Sequence, residues 1–139
     1  MTLEKLIVVT GKPGIFKISN QTNAGLLVEN LTDNKKFPIH NIHNVSSLND
    51  IAIYTYEEEV PLREIFKTIH KKEAGEKTIN HKESKKVLTD FFEEVLPNYD
   101  VERVYPSNIK KIVQWYNLLV DSKFDFSTLE QKKVSQEEE

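Results

Sequence analysis

Apolar and polar positions divide the chain into two stretches with different periods. Over the first sixty residues the apolar positions fall in short runs separated by turn-forming residues. Leu6-Ile7-Val8-Val9 is apolar and rich in β-branched side chains, and it stops at Thr10-Gly11-Lys12-Pro13-Gly14, where glycines and a proline suit a tight reversal. Ile15-Phe16-Lys17-Ile18 resumes an extended segment. Asn20 to Gly25 is a polar loop, and Leu26 to Leu31 reads as a third strand ended by Thr32-Asp33-Asn34. Lys36-Phe37-Pro38-Ile39-His40 is a shorter fourth strand, confined to an edge or a bulge because Pro38 cannot donate to a sheet ladder. Ser46 to Asp50 reads as one helical turn leading into a fifth strand, Ile51-Ala52-Ile53-Tyr54-Thr55. Five short strands with a one-turn helix before the last is the layout of an SH3-like small β-barrel.

After Tyr56 the apolar spacing becomes three and four. Glu57-Glu58-Glu59 ahead of Pro61 suits a helix start, where carboxylates face the positive end of the dipole. Leu62, Ile65, Phe66 and Ile69 form the apolar face of that helix. Lys71 to Lys82 is polar, contains Gly75 and reads as a flexible connector. Asn80 and Glu83 have capping-box spacing ahead of a second helix carrying Val87, Leu88, Phe91, Phe92, Val95 and Leu96, which Pro97-Asn98 stops. Pro106-Ser107 opens a third helix, with Ile109, Ile112, Val113, Tyr116, Leu119 and Val120 as its buried stripe. Phe124, Phe126 and Leu129 are placed to fold back on the helices, while Glu130 to Glu139 has almost nothing to bury and is expected to be disordered. The expected fold is therefore α+β: an SH3-like small β-barrel over residues 1–56, a three-helix module over 57–129 and a disordered acidic tail over 130–139.

Composition narrows the function. With 139 residues and 38% hydrophobic side chains, the chain fills one ordinary core or two small ones that must pack together to be stable. A net charge of -3 gives no global attraction to nucleic acid or anionic membrane, so any such binding has to come from a local patch. The absence of cysteine excludes disulfides, thiolate nucleophiles and cysteine-based zinc sites. No apolar run approaches the roughly 20 residues of a membrane span. Met1-Thr2-Leu3-Glu4-Lys5 has no basic region followed by an apolar stretch, so the expected location is the cytoplasm, where the Asn-x-Ser/Thr matches at Asn20, Asn30 and Asn44 carry no meaning.

Catalytic patterns are weak. Gly11-Lys12-Pro13-Gly14 lacks the spacing of a phosphate loop and precedes a strand rather than a helix. His40 and His43 lie near one another without an accompanying acidic cluster, and His70 and His81 flank the lysine-rich connector, so their spacing argues against a metal site. No serine sits in a Gly-x-Ser-x-Gly elbow, and Glu57-Glu58-Glu59 is explained by the helix start without invoking acid-base work. No enzyme activity, metal or cofactor is expected.

Two surfaces remain. Tyr99, Arg103, Tyr105, Trp115 and Tyr116 form the densest aromatic and charged cluster, of the residue types that dominate protein interfaces, and with the edge near Pro38 they point to a protein or peptide partner. The competing assignment packs Trp115 and Tyr116 into the helices and pairs Arg103 with Asp100. A nucleic-acid-binding accessory role would instead use Lys12, Lys67, Lys71, Lys72, Lys85, Lys86, Lys110 and Lys111, although Glu64, Glu73, Glu76 and Glu83 offset much of that field. A helix-turn-helix is disfavoured because the connection before the third helix exceeds that motif's three or four residues.

Two sets of phrases carry a resemblance: Val9 to Lys17, Gly25 to Leu31 and Ile51 to Thr55 in the first part, and Arg103 to Ile112 with Trp115-Tyr116-Asn117 in the second. Through them the chain resembles a bacterial family of uncharacterised proteins with an SH3-like first part and a helical second part. The resemblance implies the two-module division and a cytoplasmic bacterial setting, and it transfers no site residue.

Overall fold

The computed structural model describes residues 3–23, 25–40 and 44–129. The first part is a five-stranded antiparallel sheet in the order β4-β3-β2-β1-β5, built from β1 Leu6–Val9, β2 Lys12–Thr22, β3 Gly25–Asn30, β4 Lys36–Ile39 and β5 Val45–Ser47. Val9 faces Lys12, so Thr10-Gly11 is the two-residue hairpin turn, and Gly11 supplies the positive φ of +88° that such a turn requires. Pro38 lies on β4, at the sheet edge, where its missing N–H costs no central ladder bond.

β2 is long enough to pair with β1 along its first half and with β3 along its second. Its register slips between Ile18 and Asn20, leaving Ser19 as an extra residue that bends the strand. Both faces of the bent sheet are consequently covered. Leu6 and Ile15 face the helices, whereas Ile7, Val9, Phe16, Val28 and Ile39 close a small core of their own on the opposite face. This two-sided burial is why β1 is apolar at every position instead of alternating.

The fifth strand differs from expectation. Val45–Ser47 pairs with β1, and the helical turn Leu48–Asp50 follows it instead of preceding the last strand of the sheet. The expected fifth strand becomes β6 Ala52–Tyr54, in a separate two-stranded sheet with β7 Glu59–Pro61. Two serines in a three-residue strand give no β signal, which is why pattern missed it. No pairing joins β4 to β5 among the described residues.

Helices α1 Leu62–Lys72, α2 Lys85–Val95 and α3 Pro106–Asp121 complete the second part, so the protein is a mixed α+β structure with one larger antiparallel sheet and three helices. The carboxylates expected at the start of α1 lie elsewhere: Glu57, Glu58 and Glu59 are in the β6–β7 hairpin, and Glu64 is the acid in the first helical turn. The Thr55 hydroxyl organises that hairpin, accepting from the N–H groups of Glu57 and Glu58 and donating to the Glu58 carbonyl.

The α2 cap also moves. Ser84, not Asn80, is the N-cap, with its Oγ accepting from the Val87 N–H at 3.3 Å, while Asn80 closes a local turn by accepting from the Lys82 N–H. Ser84→Ala is expected to lower stability by about 1 kcal/mol, read from the urea midpoint. Val87, assigned from spacing to the apolar stripe, is 39% exposed because it sits in the first turn beside its cap.

The segment expected to be a flexible connector is fastened to α3. The Tyr116 hydroxyl donates to the Glu76 carbonyl at 2.7 Å. Asn117 uses both ends of its carboxamide, accepting from the Thr78 N–H at 2.8 Å and donating to the Ile79 carbonyl at 2.9 Å. Lys77 pairs with Asp121 at 3.2 Å. The main core gathers Leu62, Phe66, Phe92, Ile109, Tyr116 and Leu119 with Leu6 and Ile15 from the sheet, and Phe124, Phe126 and Leu129 do fold back onto it. The expected tail, 130–139, lies outside the described residues.

Candidate binding groove

The sequence cluster of five aromatic and arginine residues is split by the fold. Tyr116 is fully buried between the rings of Phe66 and Phe126, at centroid distances of 6.5 and 5.6 Å. Tyr99 is buried against Phe92, ring edge to ring face at 5.0 Å. Burial raises both hydroxyl pKa values; for Tyr116, with the charges of Glu73 and Glu76 adding to burial, the value reaches about 12. These two residues are core members and present no face to a partner. Successive helix positions point about 100° apart, so burying Tyr116 turns Trp115 sideways. Trp115 is half-buried and lines the surface, and Tyr105 is 58% exposed at the α3 N-cap.

The surface beside Trp115 is a groove in two halves. The first, about 180 Å³, is lined by Ile51 to Tyr54 of the β6 segment, by Arg103 and Val104, and by Asn108, Lys111, Ile112 and Trp115 of α3. The second, about 400 Å³, runs from Lys111, Gln114 and Trp115 to Val8, Val9, Ser46 and the β1–β2 turn carrying Gly11 and Lys12. Lys111 and Trp115 line both halves, so the two hollows adjoin on one face of α3.

Local backbone bonds set the walls. The Asp100 N–H donates to the Tyr54 carbonyl at 3.0 Å and the Tyr56 N–H to the Asn98 carbonyl at 3.1 Å, so the α2–α3 connection is sewn onto the β6–β7 hairpin. Within that connection Arg103 lies over the Tyr54 ring at 5.2 Å and its Nε is 3.6 Å from the Asp100 carboxylate. The pairing weighed from sequence is therefore present, and it orients the guanidinium without enclosing it. The Tyr105 N–H donates to Asn108 Oδ1 at 2.9 Å, fixing the start of α3. Tyr54 and Arg103 also line a neighbouring acidic hollow with Tyr56, Glu57, Glu58, Glu59 and Asp100, which adjoins the first half of the groove.

The lysine set is also divided. Lys67 pairs with Glu64 at 3.5 Å, Lys72 with Glu94 at 2.6 Å and Lys86 with Asp90 at 2.9 Å. The Glu94 and Asp90 partners raise the pKa of Lys72 and Lys86, chiefly through their hydrogen bonds. Lys71, Lys85 and Lys110 are exposed elsewhere on the helices. Only Lys12 and Lys111, from opposite ends of the sequence, are brought to one site, and neither has a carboxylate within ion-pair distance among the described residues. Lys12 Nζ instead sits 5.1 Å from the Phe37 ring centroid.

Among the histidines, His70 stacks on Phe126 at 4.3 Å and burial lowers the pKa of His81. His43 lies outside the described residues. The described residues assemble no group of three metal-ligating side chains, and no helix among them is long and apolar enough to cross a membrane. Sequence reasoning assigned no role to Asn108 or Asn117. The signal available was their place in a helix, where asparagine is a poor former and its retention calls for a hydrogen-bonding reason.

These features define a two-part α+β protein, an antiparallel sheet packed on three helices, with an open cation-bearing groove between the parts. Two domain families match it in the same order: Domain of unknown function (DUF5606) over residues 3–48 and Domain of unknown function (DUF6852) over residues 51–119. A solution NMR structure from Bacteroides vulgatus, a Northeast Structural Genomics Consortium target, is 42% identical, covers 89% of each chain and superposes with a TM-score of 0.73. The chain belongs to this bacterial family of proteins of unknown function. No curated protein matches it.

Proposed function

We infer that the protein is a non-catalytic, cytoplasmic adaptor that binds a segment of another protein in the groove along α3. The observation that carries this is the pair of adjoining hollows that share Lys111 and Trp115 and together present an aromatic wall, aliphatic side chains and polar side chains on an open surface. An elongated, open site of this kind suits a chain segment laid along it. The sheet order β4-β3-β2-β1-β5 and the separate core on its far face support an SH3-like reading of the first part, the architecture expected from sequence. On this reading residues 1–56 and 57–129 are two modules, with the groove at their junction.

The test is selection of a random peptide display library on the intact protein. Enriched peptides are expected to lose about 2 kcal/mol of binding, roughly 30-fold, on Trp115→Ala in protein shown by circular dichroism to be folded. Enrichment that is indifferent to Trp115→Ala and to Lys111→Glu would place binding elsewhere and reject the groove.

A second reading, a nucleic-acid accessory factor, is favoured by Lys12, Lys111 and a stackable Trp115 at one site. It requires RNA binding that weakens steeply with salt and depends on those two lysines rather than on Lys71, Lys72, Lys85 and Lys86.

A further inference from the structure

Resting on the adaptor reading, we propose that the occupant of the groove is an extended acidic segment of a partner protein that carries apolar side chains between its carboxylates. Charge complementarity is the first argument. The chain has 22 acidic residues and a net charge of -3, yet none of the described residues lining either half of the groove is acidic. Arg103, Lys111 and Lys12 succeed one another along it. A groove lined by cations and by no carboxylate attracts acidic groups on a protein whose net charge is negative.

Lys67, Lys72, Lys77 and Lys86 are paired with Glu64, Glu94, Asp121 and Asp90, whereas Lys12 and Lys111, like Lys71, Lys85 and Lys110 outside the groove, have no carboxylate within ion-pair distance among the described residues. The Lys111 ammonium is open to an incoming acid, and Lys12 reaches one by leaving the Phe37 ring, whose centroid is 5.1 Å from its Nζ. Between them the wall is Trp115, Val8, Val9 and Ile112, which an acidic segment covers only if it also carries apolar side chains. Gln114, Asn108 and Ser46 supply side-chain hydrogen-bonding groups along the same line for the backbone of the segment.

Magnitude favours peptide over nucleic acid. Duplex-binding proteins that owe their affinity to phosphates make about 6–10 such contacts. The groove offers three cations, one of which already shares Asp100.

The protein contains a single tryptophan, so its emission reports on this groove alone. The experiment titrates the full-length protein with three synthetic peptides lacking tryptophan and tyrosine. One alternates glutamate with leucine and phenylalanine; the other two replace every glutamate by lysine or by serine. A single-stranded oligouridine is titrated in parallel by anisotropy. The glutamate peptide is expected to shift Trp115 emission saturably and to bind at least tenfold tighter than the serine peptide at low salt. Its affinity is expected to fall at least tenfold in the Lys12→Glu/Lys111→Glu protein and to be unchanged in Lys71→Glu/Lys85→Glu. Equal or tighter binding of the lysine or serine peptide overturns the acidic occupant while leaving the groove as a peptide site. No emission change with any peptide removes the adaptor reading together with the proposal. Oligouridine binding that exceeds peptide binding at matched salt, and is lost in Lys12→Glu/Lys111→Glu, assigns the groove to nucleic acid and overturns the proposal.

Discussion

Tyr116→Ala is expected to destabilise the protein by about 4 kcal/mol, seen as a lower denaturant midpoint with an unchanged slope. The side chain is fully buried, stands between two aromatic rings, and donates to the Glu76 carbonyl at 2.7 Å. Truncation leaves a cavity in the largest core and strips the carbonyl of its donor, so the two losses reinforce one another. Tyr116→Phe separates them. It keeps the ring and deletes the hydroxyl, and is expected to cost about 1 kcal/mol.

The same pair makes a pH prediction. Burial, with Glu73 and Glu76 nearby, raises the Tyr116 hydroxyl from 10.0 to about 12. The folded state thus holds this proton more tightly than the unfolded chain does. The contribution to stability is complete below the unfolded value and is lost as pH rises from 10.0 toward about 12. Wild-type protein is expected to lose stability across that window more steeply than Tyr116→Phe, and a late-titrating tyrosinate absorbance is expected to be missing from the variant. Identical alkaline profiles would mean that the hydroxyl is solvated and the Glu76 contact is not made.

Gly25→Ala is the second large effect, expected to cost about 3 kcal/mol. Gly25 begins β3, and a methyl group there would land on the Ile39 carbonyl oxygen, with His40 Cα only 3.1 Å away. Both obstacles are backbone, so no rotamer change relieves them. β4 must move away, and with it Ile39, which closes the small core on the outer face of the sheet. The cost is expected to appear as reduced hydrogen-exchange protection along the β3–β4 pairing before global unfolding. Full stability in Gly25→Ala would show that β4 does not approach β3 at that end.

Helices were legible in the sequence wherever apolar spacing was sustained: Leu62, Ile65, Phe66 and Ile69 bury as their period implies, as do Ile109, Ile112, Val113, Tyr116 and Leu119. The hairpin at Thr10-Gly11 was legible because a glycine with positive φ leaves a mark in composition. β5 was not, since its pairing with β1 comes from the meander returning to its own first strand and not from its three residues. The site was legible only in part. Aromatic and arginine content pointed to Arg103 and Trp115, which line the groove, but adjacency in sequence grouped them with Tyr105, which is exposed outside its lining, and with Tyr99 and Tyr116, which the helix and its connection turn inward. Residue counts also ranked the Lys67 to Lys86 stretch above Lys12 and Lys111. Ion pairing within the helices and the folding of the β1–β2 turn against α3 reverse that order, and neither is visible without three-dimensional neighbours.

The stretch joining α1 to α2 has a further consequence for how this protein meets a protease. By composition, Glu76-Lys77-Thr78-Ile79 is the polar, lysine-bearing sort of sequence that trypsin cuts first in a native protein. Here its backbone is tied to α3 at Glu76, Thr78 and Ile79, and Lys77 is engaged by Asp121. To enter a protease cleft this strand of chain would first have to be peeled from the helix, so native Lys77 should be cut slowly, and a molecule nicked there would remain one particle, its two pieces held by the bonds that hold the intact chain.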